Sequence, residues 1–285
     1  MLPPITSLQN PRIKDAVKLR DRKGRMQQGR IIVDGLREIW RGLQAGLCEV
    51  ELFVCLPLLE QETSAASDDA NARQIVRWCQ QESVPITPVS VEVMEKLAFG
   101  DRVEPVIATA APPDTSLDRF VPRQVMGASG KPLPQLLAVL EGLEKPGNVG
   151  AILRTADAAG ISGVIIASGG TDLFNPATIR ASLGAAFTLP IAVSTSQQAV
   201  VWMRERKIQL LAARVDGAKN YTDVDLALSS AIILGSEAEG LTLDWVSRDI
   251  QAIRLPMLGI VDSLNVSVSA GVLFYEALRQ RERGR

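Results

Sequence analysis

Leu136-Leu-Ala-Val-Leu140-Glu-Gly-Leu-Glu-Lys-Pro146-Gly-Asn148-Val-Gly150-Ala-Ile-Leu-Arg154-Thr-Ala-Asp-Ala-Ala-Gly160 is the stretch that decides the fold. Its first five residues are apolar without alternation, which predicts a strand buried on both faces. The Pro, Gly and Asn residues that follow predict a turn. A helix is then expected over 150–159, closed by Gly160. Residues 163–167 are apolar again and predict the next strand. The alternation continues to the C-terminus. Asn175-Pro176 opens a helix with a capping side chain and a first-turn proline. Helix 197–207, strand 209–215, strand 231–234, a short helix capped by Thr242, strand 252–255 and a closing helix over 265–283 complete it. Strands alternating with helices predict a parallel sheet covered by helices.

Toward the N-terminus, residues 112–134 are dense in Pro, Gly and Ser and predict a linker. Within it, Gly127-Ala-Ser-Gly130-Lys131-Pro132 is too short for a phosphate loop, and Pro132 replaces the hydroxyl that would bind magnesium. Residues 1–111 predict a smaller α/β domain. Its expected elements are a basic helix over 10–28 after Pro11, strand 31–33, helix 36–45 closed by Gly46, strand 50–56, helix 70–82, strand 84–89, helix 91–98 and strand 106–110. Two domains, 1–111 and 135–285 around the linker 112–134, suit a chain of 285 residues.

Composition removes several function classes. The chain has no histidine, so a Ser-His-Asp triad, a Cys-His dyad and any His-ligated zinc are excluded, and no metal is expected. Three cysteines without a C-x-x-C pair suit reduced thiols and a cytoplasmic setting. No apolar run approaches the roughly 20 residues of a membrane span, and residues 1–15 lack a signal-peptide core. Rows of stacking rings are not available to a chain with 4% aromatics. Net charge is −1, yet its distribution is uneven. Residues 1–45 hold ten basic side chains against four acidic ones, a surplus of six. A segment of that kind is expected to face a polyanion, or else to be a solvated helix face.

Three segments of the second domain carry candidate chemistry. In the first, Asn148 and Arg154 flank a predicted helix start at a strand's carboxyl end, where open α/β sheets bind ligands. Both are expected to face one cleft. No G-x-G-x-x-G is present, so the dinucleotide fingerprint fails. In the second, Ile233-Leu-Gly235-Ser236-Glu237-Ala-Glu239-Gly240-Leu241, a strand stops at a glycine that lets backbone approach a ligand, and Glu237 follows in a tight turn. In the third, Ile253-Arg-Leu255-Pro256-Met257-Leu-Gly259-Ile-Val-Asp262-Ser263-Leu264-Asn265-Val-Ser267, a strand end meets a loop with Ser263 and Asn265 at the mouth of the last helix. Unpaired N–H groups there suit a carboxylate or phosphate. Taken singly, each segment also reads as an ordinary capped turn.

Together, P-x-N-x-G-x-x-x-R-T-A, L-G-S-E-x-E-G-L and I-x-L-P-M-x-G-x-x-x-S-L-N-V-S resemble the SpoU family of RNA ribose 2'-O-methyltransferases, within the SPOUT superfamily. The resemblance runs from about Leu136 to Arg281 and includes Asn175-Pro-x-x-Ile179-Arg180-Ala-Ser182-x-Gly184-Ala185. Ser7-x-x-Asn10-Pro11 and Ile32-Val33-Asp34-Gly35-x-Arg37 resemble that family's ribosomal-protein-like substrate-binding domain. Lys145, Asp34 and Pro105 depart from its usual residues.

The resemblance implies a deep trefoil knot in the C-terminal domain, S-adenosylmethionine as methyl donor, and a homodimer whose site borrows residues across the interface. It implies Gly235, Ser236, Leu255, Pro256, Met257, Leu264 and Asn265 around the donor, and Asn148, Arg154, Glu237, Ser263 and Asn265 at the reacting end. The RNA partner, ribosomal RNA foremost, would meet Arg12, Lys14, Lys18, Arg20, Arg22, Lys23, Arg25 and Arg37. The alternatives are transfer RNA as substrate, a non-catalytic RNA or ribosome binder, and a nucleotide-dependent oxidoreductase.

Overall fold

A computed structural model describes residues 3–61, 71–99, 103–168, 170–236 and 239–283. The chain forms two compact units, Met1–Pro113 with Asp172–Thr188, and Asp114–Thr171 with Leu189–Arg285. In chain order the first stretch holds α1 (Pro11–Lys18), α2 (Arg22–Gln28), β1 (Ile31–Asp34), α3 (Leu36–Gln44), β2 (Glu51–Val54), α4 (Leu56–Gln61), α5 (Ala72–Gln81), β3 (Ile86–Pro88), α6 (Val91–Leu97) and β4 (Val106–Ala110). Next come β5 (Leu136–Glu141), α7 (Pro146–Ala158) and β6 (Gly163–Ala167). The helices α8 (Pro176–Ala181) and α9 (Ala185–Thr188) return to the first unit. The second unit resumes with β7 (Ile191–Ser194), α10 (Ser196–Glu205), β8 (Gln209–Ala213), β9 (Lys219–Asn220), β10 (Ser230–Leu234), β11 (Ile250–Arg254) and α11 (Val266–Arg283).

The first unit is built on a sheet ordered β1-β4-β2-β3, antiparallel except for the β2–β3 pair. The expected single helix over 10–28 is instead two helices. At the corner the buried Arg25 guanidinium donates to Leu19 O and Arg20 O, both at 2.7 Å, and pairs with Asp172. Gly24 lets the two segments touch, since a Cβ there would lie 2.0 Å from Lys18 O. The Ile-Val-Asp-Gly segment runs through β1 into α3. Asp34 receives Phe99 N–H and the Arg180 guanidinium, and burial nevertheless pushes its carboxyl above the usual range. Gly35 has φ +126°, and a Cβ on it would strike Glu38 Oε2 at 2.2 Å.

The second unit has the expected parallel sheet, ordered β7-β6-β5-β10-β8-β11-β9 among the described residues. Every residue of β5, β6 and β10 is buried, as both-face coverage requires. The edge strand β7 was not foreseen. The linker expectation needs correction for residues 114–134, which pack on this unit. Phe120 is buried with its ring 5.3 Å from Trp202, in space left by Gly163, where a Cβ would fall 2.6 Å from that ring. Arg123 donates to Ser162 O through its backbone and to Asp157 at 2.9 Å through its side chain.

The far end of α11 is tied to the segments leading into β5 and β10 by Gln280, whose Oε1 accepts Leu226 N–H at 2.8 Å, and above all by Arg281. Arg281 is buried and donates to Leu226 O, Pro134 O, Gln135 O and Leu228 O at 2.7–3.2 Å. Burial lowers its guanidinium to about 10. Arg281→Met takes a donor from all four carbonyls, and among the described residues only Gln135 O and Leu228 O keep one, from Ser230 N–H and the Ser230 hydroxyl, so a loss of about 3 kcal/mol is expected in urea unfolding. An unchanged midpoint would show that water replaces the guanidinium at no cost. Among the described residues, no helix is long and apolar enough to cross a membrane.

Candidate functional site

The carboxyl ends of four adjacent strands, β5, β10, β8 and β11, open onto one edge of the parallel sheet. The loops after β8, β10 and β11, with the start of α11, enclose a cavity of about 560 Å³. Its walls are residues 213–216, 234–236, 239–241, 253–255, 257 and 262–264, closed by Val266, Ser269 and Leu273. Two glycines let backbones meet there. A Cβ on Gly235 would lie 2.4 Å from both the carbonyl carbon and oxygen of Gly240. One on Gly217, just beyond the wall, would lie 2.5 Å from the Ile253 carbonyl carbon. Ser236 and Gly240 exchange backbone hydrogen bonds at 3.1 Å, closing the loop on itself.

Of the residues expected around a donor, Gly235, Ser236, Leu255, Met257 and Leu264 line this cavity, as does Ser263. Pro256 is exposed beside it and not in the wall. Glu237 lies outside the described residues. Asn265 sits at the mouth of α11, where its carbonyl accepts Ser269 N–H at 3.0 Å and its side chain accepts Ser267 N–H at 3.0 Å. Its Nδ2 donates to Asn148 Oδ1 at 3.2 Å. The first and third motifs therefore meet through these two amides.

Arg154 stands apart. The helix begins at Pro146 rather than at Gly150, so the Pro-Gly-Asn turn is its first turn. Pro at that position is compatible with a helix start because its missing N–H has no partner to lose. Six helical residues carry Arg154 roughly 120° around the axis from Asn148. Arg154 is exposed on α7 and lines neither this cavity nor the next one. The expectation that Asn148 and Arg154 face one cleft is not met within a single chain.

The sequence reading missed Arg214 and Asp216, both in the cavity wall. They form a two-pronged pair at 2.8 and 2.7 Å. The hydrogen bonds from Arg214 hold the Asp216 carboxyl below its usual range and push the guanidinium up. Their signal was available: the turn Arg-Val-Asp-Gly follows β8, another carboxyl end of the same sheet.

A second cavity of about 670 Å³ opens on the other side of the loop after β10. Ser236, Glu239, Gly240 and Leu241 line both cavities, so this loop is a wall between them. Glu141, Lys145, Asn148, Ser168 and Thr242 also line the second cavity.

The basic residues of the first unit divide into two groups. Arg25 is buried, and Arg20 donates to Lys96 O and Ala98 O, its guanidinium lowered by burial. These two hold the fold and are removed from the RNA-facing set. Arg12 is paired with Glu51 and Thr87, and Lys18 with Asp15 at 2.8 Å. Lys14, Arg22 and Lys23 are exposed, and Arg37 is half-buried.

Comparison with known proteins supplies the remaining findings. The sequence profile of the SpoU rRNA Methylase family matches residues 135–275, and that of the MRM3-like substrate binding domain matches 10–108. An uncharacterized tRNA/rRNA methyltransferase of Synechocystis sp. is 31% identical over 97% of this chain and 94% of its own length. The 23S rRNA (guanosine-2'-O-)-methyltransferase RlmB of Bordetella pertussis is 33% identical over 76% of this chain and 87% of its own. The crystal structure of an AdoMet-bound rRNA methyltransferase from Sinorhizobium meliloti superposes with a TM-score of 0.81, at 26% identity over 97% of both chains.

Proposed function

Because the chain belongs to the SpoU rRNA methylase family, we propose that it methylates a ribose 2'-hydroxyl of RNA, ribosomal RNA foremost, using S-adenosylmethionine. The observation that carries this reading is the cavity at the strand ends, with its two glycine crossings and the Asn148–Asn265 contact at its edge. Its volume lies in the range that holds small-molecule ligands, roughly 300–1,000 Å³. Leu241, Leu255, Met257 and Leu264 offer apolar surface to an adenine, and Ser236, Asp216 and Ser263 offer polar groups to a ribose and an amino acid. The residues present fit the donor.

When bound, the donor supplies an activated methyl on a sulfonium. The chain's task is to hold the ribose hydroxyl in line with it, and positioning of this kind is worth several kcal/mol of barrier. The acceptor nucleotide enters the second cavity, with its 2'-hydroxyl reaching the methyl past the edge of the loop that lines both cavities. Asn148 and Asn265 orient its sugar. The guanidinium of Arg154 is a fixed fork of donors suited to a phosphate and to oxyanion charge developing on the 2'-oxygen. Within one chain Arg154 is far around the helix from Asn148, so we assign it to the site of a second protomer. Val268, Val272 and Tyr275 form an exposed apolar stripe at helical spacing along α11, beside the exposed Leu258, Ile260, Val261 and Leu264. A stripe of that kind suits a homodimer through the second unit.

The same reading carries a deep trefoil knot, in which the C-terminal segment threads a loop. What supports it is the tight backbone packing at these strand ends, where Gly217 of the loop after β8 lies directly on Ile253 of β11 and Gly235 lies on Gly240 of its own loop. A cytoplasmic location follows from the substrate. Transfer RNA is the second reading, and the name of the Synechocystis relative gives both RNAs. Ribose-methylation mapping of total RNA with and without the gene decides between them. One lost site in ribosomal RNA is expected, and a lost site in transfer RNA would reverse the order.

RNA is expected to meet the first unit at Lys14 and Lys23. Reversing both charges should weaken RNA binding and flatten its log–log salt dependence by roughly 0.7–0.9 for each phosphate no longer neutralised. Arg25→Ala should lower the melting temperature instead. An unchanged slope in the double variant would move the RNA surface elsewhere.

A further inference from the structure

Glu141 ends β5 and is 2% exposed. Its Oε1 accepts the Ser196 hydroxyl at 2.5 Å and the Thr242 hydroxyl at 2.9 Å, and its Oε2 accepts Thr242 N–H at 2.8 Å. Because Ser196 spends its single proton on the carboxylate, Ser168 must be the donor in the 2.6 Å contact between the two serines. A buried charge is costly unless hydrogen bonds satisfy it, and here the donors come from α10 and from the loop after β10.

That loop is the wall between the two cavities. Among the described residues, its Ser236–Gly240 backbone pair and the bond from Glu239 N–H to Ser236 Oγ are internal to it. Among the described residues of 235–242, Thr242 reaches the end of the sheet through two hydrogen bonds to Glu141. Thr242 directly follows Leu241, the last residue of the shared wall.

We propose that Glu141 is a positioning residue for methyl transfer, which through Thr242 fixes the loop that lines both the donor and the acceptor cavity. The inference rests on the cavity assignments made above. Its logic is mechanical: in-line transfer tolerates little displacement of the loop that lines both cavities, and among the described residues Thr242 latches that loop to β5. Thr242→Val removes a hydroxyl bond and keeps the backbone one. Ser196→Ala removes a bond to the same carboxylate from the side away from the wall.

The test is calorimetric donor affinity, steady-state methyl transfer and melting temperature for both variants, with Thr242→Ser and Glu141→Gln alongside. Thr242→Val is expected to weaken donor binding and lower kcat on the order of ten-fold. Glu141→Gln should follow it, and Thr242→Ser should stay within about two-fold of the wild type. Ser196→Ala should lower the melting temperature as Thr242→Val does, yet leave donor affinity within about two-fold. Affinity and kcat that move alike in Ser196→Ala and Thr242→Val, in step with melting temperature, would overturn the latch. A wild type that binds donor beside a Thr242→Val that binds and turns over equally would overturn the latch alone. A wild type that binds no donor would overturn the functional reading and the latch with it.

Discussion

Arg154→Ala is expected to cut methyl transfer by roughly 100- to 1,000-fold, the usual cost of deleting one donor aimed at developing oxyanion charge. Affinity for S-adenosylmethionine should change by less than about two-fold. The split follows from where the side chain stands. Arg154 is exposed on α7 and takes no part in the wall of the donor cavity. Its removal deletes nothing that the donor touches and creates no void. If it acts on the site of a partner protomer, mixing Arg154→Ala with a variant broken in the donor cavity should recover part of the activity. Each mixed dimer then holds one intact site. Equal losses in affinity and turnover would place Arg154 in the donor cavity after all.

Gly235→Ala is the second large effect, and it strikes binding. The added methyl would lie 2.4 Å from two backbone atoms of Gly240 and 2.7 Å from Leu241 N. Backbone cannot swing aside as a flexible side chain can, so the loop must move bodily. That loop walls both cavities. Donor affinity should fall by more than about 100-fold, because the reshaped cavity no longer fits the donor along a whole side. Gly259→Ala is the matched control, since nothing lies within 4 Å of a Cβ there. It should bind donor as the wild type does. Normal affinity in Gly235→Ala would mean that the glycine crossing does not shape the cavity.

The parallel sheet was readable because β5, β6 and β10 are continuous apolar runs, and burial on both faces leaves no other pattern. The loops at its carboxyl ends were readable for the same reason, which is why Gly235 and Ser263 were placed near a ligand, whereas Leu255 was placed there by the family resemblance. Other features were hidden by physics that acts at a distance along the chain. Arg25 and Lys23 look alike as letters, but one guanidinium fills the corner between α1 and α2 and the lysine faces water. Residues 114–134 have the composition of a linker, yet Phe120 finds Trp202 far away in sequence. Pro146-Gly147 reads as a turn, although a proline also suits a helix's first position. That choice moved the helix start by four residues and with it the relative bearing of Asn148 and Arg154. Glu141 was visible as a letter in the first motif. Its role needed Ser196 and Thr242, which only the fold brings to it.

The central claim is that this chain moves a methyl from S-adenosylmethionine to a ribose oxygen. The direct measurement is transfer of tritiated methyl to ribosomal RNA, followed by complete alkaline hydrolysis. Alkali cleaves RNA through the free 2'-hydroxyl, so a methylated ribose protects its neighbouring bond. Label in alkali-resistant dinucleotides is the predicted result. Label confined to mononucleotides, which marks base methylation, or no label at all, would contradict it.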